Sequence, residues 1–297
     1  MASIHEQLET KGYVIIDNLI PEDLFNSLVE AADRVIAKGR NSEWRERRTV
    51  GKQFPPWPKD EAIYDIWAIQ HVMHPDLGEP VFAQYYASEP MLKTITELLE
   101  VPRDQLQLEL FNLLINPVDN EFALTWHRDC IEVNVSEEVE QERLKIPHYG
   151  TQWNTALYDD SCFIFVPGSH NRLRTPEERR VNIEEPYGHM PGEVVLHLKP
   201  GQTVFYNNNL LHRAHYPKGV KRASLHGSMG ITSGGPTRAQ NILQHGLDWI
   251  KSDRFRATLP PAALPLHDNL LRLAEARKDV KLEYDHPNDG FAVKNEA

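Results

Sequence analysis

The sequence predicts a mainly β domain with flanking helices, built as an all-β barrel or sandwich with the helices packed outside it. Short apolar runs crowd the middle of the chain, and Pro-Gly and Lys-Gly turns separate them, which is typical of antiparallel strands. Helical patterns come before and after these runs, so strands and helices are segregated along the chain. We therefore expect the 297 residues to form a single domain. Its parts are a helical segment at about 1–103, a β core at about 104–232 and a second helical segment at about 238–297.

The N-terminal part predicts one strand followed by two helices. Residues 12–16, GYVII, are typical of a short buried strand. Pro21 opens the first helix, in which apolar residues recur on one face until Gly39. Ser88 is the predicted cap of the second helix, with Pro90 in its first turn.

The predicted β core begins with an alternating segment at residues 105–115. Leu106, Leu108 and Leu110 share one face of this segment and polar residues share the other, which predicts a half-buried strand. Strand-like runs then follow at 151–158, 162–166, 193–198, 202–206, 209–215 and 222–230. Helical patterns return at 239–250 and 264–277.

Composition argues against several functional classes. A net charge of −11 disfavours a nucleic-acid binder, which needs a basic face. Two cysteines, Cys130 and Cys162, are too few for a disulfide framework or a zinc-ribbon cluster. No apolar run approaches the roughly 18–20 residues that span a bilayer, and the first residues lack a signal-peptide pattern. We therefore expect a cytoplasmic protein that acts on a small molecule, with neither nucleic acid nor membrane as partner. Its oligomeric state is not indicated.

A His-x-Asp triplet occurs twice, at His74–Asp76 and at His127–Asp129. Residues i and i+2 of a strand point to the same face, so such a pair can hold one cation from one side. Non-haem iron sites use two histidines and one carboxylate on one face of an octahedron. The second pair follows a strand-like stretch, whereas the proline inside the first disfavours a central strand. We therefore choose His127 and Asp129 as ligands; the alternative is two polar residues in a surface loop.

The third metal ligand is expected from a distant strand, and residues 200–224 offer His212 and His215. His212 directly follows an apolar pair, as a ligand at the end of a buried strand should. His215 has the opposite strand parity and lies beside a turn, so His212 is the predicted ligand. Histidines expected to be structural or on the surface are His170, His189, His197 and His226.

Arg222 and Ser224 share one face of the next predicted strand. A guanidinium beside a hydroxyl suits a small carboxylate, because the guanidinium offers a bidentate fork and the hydroxyl one more donor. The alternative is an exposed salt bridge and a serine packed in a sheet. The ordered set of His-x-Asp, a distant His and Arg-x-Ser is more specific than its parts.

With these motifs in place, the chain resembles the phytanoyl-CoA dioxygenase family of iron(II)/2-oxoglutarate oxygenases. The matching pieces are WHRD at 126–129, TALYDDSCFIFVPGSH at 155–170, the Pro-Gly turn and TVFY at 200–206, LLH at 210–212 and RAS at 222–224. The opening at 12–28 also fits the strand and helix with which the family begins. The resemblance therefore spans roughly residues 10–232.

The resemblance implies a double-stranded β-helix core, also described as a jelly-roll or cupin-like fold. It also implies an enzyme that uses Fe(II), 2-oxoglutarate and O2. By that resemblance, His127, Asp129 and His212 are the iron ligands. Hydroxylation of an unactivated C–H bond is the expected outcome, while desaturation, ring formation and epoxidation stay open with the same residues.

The resemblance also assigns residues to the co-substrate. Arg222 pairs with the distal carboxylate of 2-oxoglutarate, and Ser224 assists it. Asn154 falls where many members of the family carry an aromatic residue beside the co-substrate, so we expect it to contact the co-substrate as well.

Two other functions remain open on the sequence. A metal-dependent hydrolase or isomerase on a cupin-type barrel would use zinc and would not need the Arg-x-Ser pair. A non-catalytic jelly-roll binding protein would have no reason to keep three metal ligands together with Arg222.

Three long connections, at 40–60, 132–148 and 171–191, border the expected mouth of the barrel. The first and third are rich in arginine and the second is acidic; solvated loop charges are the alternative explanation. We expect the opposite charges to let the connections close over a substrate, with Trp44 and Trp57 as apolar walls. A substrate with an anionic group would suit the arginines.

Overall fold

Two antiparallel sheets with helices around them make up the computed structural model, which describes residues 2–243 and 246–276. The strands are β1 (Tyr13–Ile16), β2 (Arg47–Thr49), β3 (Ile66–Ile69), β4 (Leu106–Ile115), β5 (Phe122–Ala123), β6 (Gly150–Ala156), β7 (Phe163–Phe165), β8 (Val194–Val195), β9 (Thr203–Tyr206), β10 (His212–Tyr216) and β11 (Ala223–Ile231). The α-helices are α1 (Ile4–Lys11), α2 (Glu22–Arg40), α3 (Val81–Tyr86), α4 (Glu89–Leu99), α5 (Glu137–Leu144), α6 (Pro176–Glu184), α7 (Gly235–Leu243), α8 (Asp253–Thr258) and α9 (Leu264–Glu275). Short 3-10 turns lie at Pro75–Leu77, Arg103–Gln105, Ser169–Asn171, Thr232–Gly234, Asp248–Lys251 and Pro261–Ala263.

The larger sheet has the strand order β1-β9-β6-β11-β4-β3-β2, and the smaller sheet has the order β5-β10-β7-β8. Neighbouring strands are antiparallel throughout the described residues. This arrangement confirms the predicted jelly-roll core. The fold is less strand-rich than the predicted mainly β class implies, because helices hold 39% of the residues and strands 21%.

The largest apolar core lies between the larger sheet and the helices outside it. On β11, Leu225 and Met229 belong to this core, together with apolar residues of α2, α4 and α9. Ser224 and His226 alternate with them and therefore point to the other face of the sheet, toward the smaller sheet. The alternation places the predicted carboxylate-binding face of β11 inside the barrel.

The predicted strands of the β core are confirmed, but the half-buried character of the first one is wrong. On β4, Gln107 and Glu109 are buried, although they alternate with the leucines. Arg238 of α7 covers this polar face, and its Nε donates to Glu109 Oε1 over 2.6 Å. Both faces of β4 are therefore covered, the leucine face by the apolar core and the polar face by Arg238.

Several helices and the two strands β2 and β3 were not predicted. The segments at 132–148 and 171–191, predicted as long connections, carry α5 and α6. Ser88 does occupy the cap position of α4, but its side chain makes no capping hydrogen bond. The single domain over 1–297 stays a prediction. Residue 277 of the last predicted helix, and the segment that follows it, lie outside the described residues.

Candidate active site

His127, Asp129 and His212 meet where the end of β5 approaches the start of β10. The backbones of His127 and His212 pair as an isolated antiparallel bridge. Each amide nitrogen donates to the carbonyl oxygen of the other residue, at N to O distances of 2.9 and 3.0 Å. The Asp129 N–H donates to the Asn208 carbonyl over 2.9 Å and so fixes the residue that follows the bridge. The main chain therefore brings the residues of a local motif and a distant histidine to one point.

The ligand atoms of the three side chains converge. Asp129 Oδ1 lies 3.6 Å from His127 Nε2 and 3.8 Å from His212 Nε2. All three candidate ligand atoms lie within 4.8 Å of one another. The structure thus brings together the two histidines and the carboxylate that the sequence singled out, in a set that suits non-haem iron.

Hydrogen bonds to backbone carbonyls set the tautomer of both histidines. His127 Nδ1 lies 2.7 Å from the carbonyl oxygen of Thr125, and His212 Nδ1 lies 2.7 Å from that of Leu210. A carbonyl can only accept, so each Nδ1 carries the hydrogen and each Nε2 keeps its lone pair for a metal. Gln152 also donates to Asp129 Oδ2, which leaves Oδ1 directed at the histidines.

A cavity of about 100 Å³ between the two sheets contains the three residues. Its polar wall includes Gln152 and Asn154 from β6 and His226 from β11. His226 Nδ1 lies 2.9 Å from Asn154 Oδ1, and burial lowers the pKa of His226 to about 3. A neutral His226 donates this hydrogen bond, which fixes the Asn154 amide in the cavity wall.

Arg222 also lines this cavity and is 4% exposed. Its Nε donates to Asp160 Oδ2 over 2.8 Å, and its guanidinium lies 5.2 Å from the ring centre of Tyr216. Its buried NH1 atom has no hydrogen-bond partner. An orphaned buried donor on a fixed guanidinium suits an incoming carboxylate.

Ser224 is fully buried, and its Oγ atom also lacks a hydrogen-bond partner. Its side chain shares the inner face of β11 with His226, although Ser224 is absent from the cavity wall itself. Two unsatisfied polar atoms, on Arg222 and Ser224, therefore lie two residues apart on the same side of the chain. The donor set fits one small dicarboxylate beside a divalent metal ion.

The rejected histidines have other partners. His74 Nδ1 accepts a hydrogen bond from the Asp76 N–H over 3.0 Å, and its ring packs against Trp44 and Trp249. His215 pairs with the exposed Glu121 at 2.8 Å. Neither residue lines the cavity.

Several residues of the cavity wall were not anticipated, among them His226 and Arg48. His226, expected to be structural or on the surface, lines the cavity, because it shares the strand face of Ser224. Arg48, counted only among the loop arginines, lies on β2 at the same wall. Strand parity from Arg222 could have indicated His226, whereas Arg48 depends on a pairing of β2 with β3 that no local pattern reveals.

The connections with opposite charge do meet, but through buried ion pairs rather than at an open mouth. Glu140 of α5 pairs with Arg174 and Arg179, and its side chain is fully buried. Trp44, expected as an apolar wall, instead donates to the Gln70 carbonyl and packs on His74, outside the cavity wall. Closure of these connections over a substrate stays a prediction.

Several solved structures have a fold similar to that of this chain. AviO1 from Streptomyces viridochromogenes Tue57 has a TM-score of 0.55 at 17% identity, with 76% of this chain and 93% of that chain covered. EctD from S. alaskensis, solved with 2-oxoglutarate and 5-hydroxyectoine, has the same TM-score and identity, with 76% and 74% covered. The epimerase SnoN, in complex with Fe3+, alpha ketoglutarate and nogalamycin RO, has a TM-score of 0.51 at 17% identity, with 77% and 82% covered. Similarity at this level shows a shared fold.

No curated protein matches the sequence. No helix in the described part of the chain is both long and apolar enough to cross a membrane.

The family model of phytanoyl-CoA dioxygenase matches residues 8–221, which include the three candidate metal ligands. Arg222 and Ser224 lie just past the matched residues. Since this match covers well over half of the sequence, the chain belongs to the phytanoyl-CoA dioxygenase family and is a 2-oxoglutarate-dependent non-haem iron oxygenase.

Proposed function

We propose that this enzyme hydroxylates an unactivated C–H bond of a small organic substrate, with His127, Asp129 and His212 as its iron ligands. One observation carries the proposal: two histidine Nε2 atoms and one carboxylate oxygen converge in the same cavity as an unpartnered, buried guanidinium nitrogen. A zinc hydrolase would need the ligands without the guanidinium. A non-catalytic binding protein would need neither.

Iron(II), bound with 2-oxoglutarate and O2, supplies the oxidising chemistry. The residues of the chain hold and orient the reactants. Asp129 and the two histidines would hold the iron, a ligand set that in non-haem iron sites leaves room for the co-substrate and oxygen. Arg222, fixed by Asp160, neutralises the distal carboxylate of 2-oxoglutarate. We include Ser224 and Asn154 as further co-substrate contacts. Asn154 lines the cavity, and Ser224, with its unpartnered hydroxyl, lies two residues from Arg222.

Incorporation of labelled oxygen tests hydroxylation as the outcome. We expect one substrate of a small-molecule library to gain one oxygen atom from ¹⁸O2, in a reaction that requires both iron(II) and 2-oxoglutarate. Mass spectrometry measures the gain. A product that lacks two hydrogens and contains no label would show desaturation or ring formation, and the proposed hydroxylation would then be wrong.

The Arg222→Ala variant should need far more 2-oxoglutarate than the wild type. Removing the charged partner of a desolvated carboxylate costs about 2–5 kcal/mol, so the dissociation constant should rise at least tenfold. Calorimetric titration of the anaerobic iron(II) protein with 2-oxoglutarate measures the effect. Lys221→Ala is the matched control, because Lys221 is the neighbouring cation but pairs with Asp33 at the surface. Equal affinity in the Arg222 variant and the wild type would remove Arg222 from the site.

The Ser224→Ala variant should bind 2-oxoglutarate somewhat more weakly than the wild type but should be equally stable. The loss of one ordinary hydrogen bond costs about 1 kcal/mol, which weakens 2-oxoglutarate binding about fivefold. Stability should not fall, since the Ser224 hydroxyl has no partner in the structure and its removal leaves no group unpaired. Urea unfolding without co-substrate and co-substrate titration separate the two effects. A clear loss of stability with unchanged affinity would make Ser224 a purely structural residue.

A further inference from the structure

Arg48 is a cavity-lining cation whose side chain has no ionic partner. It extends from β2 into the cavity that contains the candidate metal ligands. Its guanidinium lies 5.0 Å from the ring centre of Trp57 and 5.1 Å from that of Trp67. Its Nε atom is buried and makes no hydrogen bond, and no carboxylate of the described chain lies within ion-pair distance of it.

The two sequence neighbours Arg45 and Arg47 and the cavity arginine Arg222 are matched by acceptors. Arg45 pairs with Glu61 outside the cavity. Arg47 donates to the carbonyls of Gly39 and Asp60. Arg222 donates to Asp160. Arg213 also lines the cavity and has a buried Nε without a partner, but it alternates with His212 on β10, and its guanidinium lies over Trp126 at 5.3 Å from the ring centre. Of the arginines at the cavity wall, Arg48 is therefore the one that neither pairs with a carboxylate nor lies on the strand face opposite the metal ligands.

An unmatched guanidinium in a partly buried wall is unfavourable by itself. Burial lowers the pKa of Arg48, and the two indole rings stabilise the cation without neutralising it. A ligand that supplies a negative charge would stabilise this buried cation further. The rings also fix the guanidinium, so little rotamer entropy would be lost on binding.

We infer that Arg48 is a second carboxylate-binding residue of the cavity, distinct from Arg222. This inference rests on the proposed function. The two guanidiniums are separate anchors: Arg48 lies over Trp67, the Trp67 ring stacks on Tyr216 at 5.5 Å, and Arg222 lies over Tyr216. The two cations therefore contact different rings of one stacked pair.

The partners of the other groups indicate which carboxylate Arg48 takes. The metal ion and Arg222, whose Nε is already held by Asp160, would take the two carboxylates of 2-oxoglutarate. Arg48 would then be the guanidinium of the inner wall with no carboxylate in contact, so the substrate class that fits is a small organic acid. The alternative source of the same chemistry is the metal-proximal carboxylate of 2-oxoglutarate.

Binding titrations in two arms test the inference and separate the two sources. The variants are Arg48→Gln, which removes the charge, and Arg48→Lys, which keeps it; Arg45→Gln is the matched control outside the cavity. In the first arm, anaerobic iron(II) protein is titrated with 2-oxoglutarate. In the second arm, the protein saturated with iron(II) and 2-oxoglutarate is titrated with hexanoate and benzoate, each compared with its amide. Tryptophan fluorescence gives a readout independent of turnover, because Trp57 and Trp67 flank Arg48.

We expect the wild type and Arg45→Gln to bind the acids about tenfold or more tightly than the amides, in line with a charge-assisted hydrogen bond. Arg48→Gln should lose this preference, and Arg48→Lys should keep part of it. A tenfold loss in the first arm instead would support the carboxylate role and assign it to the co-substrate. The inference is overturned when Arg48→Gln matches the wild type in both arms, including the case in which the wild type does not prefer acids.

Failure of the proposed function would look different from failure of this inference. A wild-type protein that binds neither iron(II) nor 2-oxoglutarate would contradict the proposed function. A wild type that binds both, with an indistinguishable Arg48→Gln variant, would contradict only the role of Arg48. Unfolding of each variant, followed by circular dichroism, confirms that a lost signal is not a lost fold.

Discussion

Replacement of His127, Asp129 or His212 by alanine is expected to abolish turnover, because an iron site with one protein ligand missing from its face no longer holds the metal in a reactive geometry. The fold should largely survive. These side chains meet at a cavity between the sheets, whereas the largest core lies on the other face of the larger sheet. Iron(II) binding, turnover and circular dichroism are measured on each variant. Because the His212 ring packs near Phe163 and Tyr206, His212→Gln is a second variant with less loss of packing.

Two histidines serve as controls for the metal prediction. His74 caps a 3-10 turn, and His215 pairs with Glu121 near the surface. His74→Ala and His215→Ala should therefore bind iron(II) as the wild type does. Loss of iron from His215→Ala together with its retention in His212→Ala would show that the third ligand is wrongly assigned.

The second large effect is expected from Glu140→Ala, which should reduce the free energy of unfolding by about 3–5 kcal/mol. Glu140 is fully buried and pairs with Arg128 at 3.1 Å, with Arg174 at 3.1 Å and with Arg179. Burial lowers the pKa of Arg128 to about 10 even though the neighbouring Glu140 carboxylate favours the cation. Removing the carboxylate would leave the buried guanidiniums of Arg128 and Arg174 without their counter-charge.

The position of Arg128 connects this cluster to the metal centre. Arg128 lies between His127 and Asp129 in sequence, and its NH2 donates to the carbonyls of Ser169 and Arg172. Urea unfolding measures the stability change. Glu137→Ala is the matched control from the same helix: its carboxylate lies 3.7 Å from Arg179 and is mostly exposed, so its loss should cost no more than about 1 kcal/mol. Equal stability of the two variants would mean that the buried cluster contributes little.

The strands of the core could be predicted because their signals are local. Alternating apolar residues set the strands, and Pro-Gly turns such as Pro200-Gly201 separate them; both patterns are visible in the sequence. The two-sided burial of β4 could not be predicted in this way. It depends on Arg238, which lies more than a hundred residues away and reaches Glu109 only in the folded chain.

Some of the missed helices did carry a readable signal. Ser3 and Glu6 form a capping box at the start of α1, and Thr175 and Glu178 form another at the start of α6. In contrast, α5 has little amphipathic pattern, and its place is set by the burial of Glu140 among arginines of other segments. Such a helix is stabilised by tertiary contacts that the local sequence does not display.

The candidate metal ligands were predictable because motif, strand parity and order along the chain agree. The residues of the cavity wall were harder to predict. His226 could have been identified from its alternation with Ser224, but Arg48 comes from a strand at the far edge of the larger sheet. The cytoplasmic location stays a prediction from the sequence.

The most direct test of the account is succinate formation from 2-oxoglutarate by the purified chain, measured in air with and without iron(II) across a substrate library. We predict succinate only when iron(II) is present, an increase with at least one substrate, and none above background with the His212→Ala variant. Zinc should not replace iron. Iron-independent activity, or the absence of succinate from a protein shown to bind iron(II) and 2-oxoglutarate, would contradict the assignment of this cavity as an oxygenase active site.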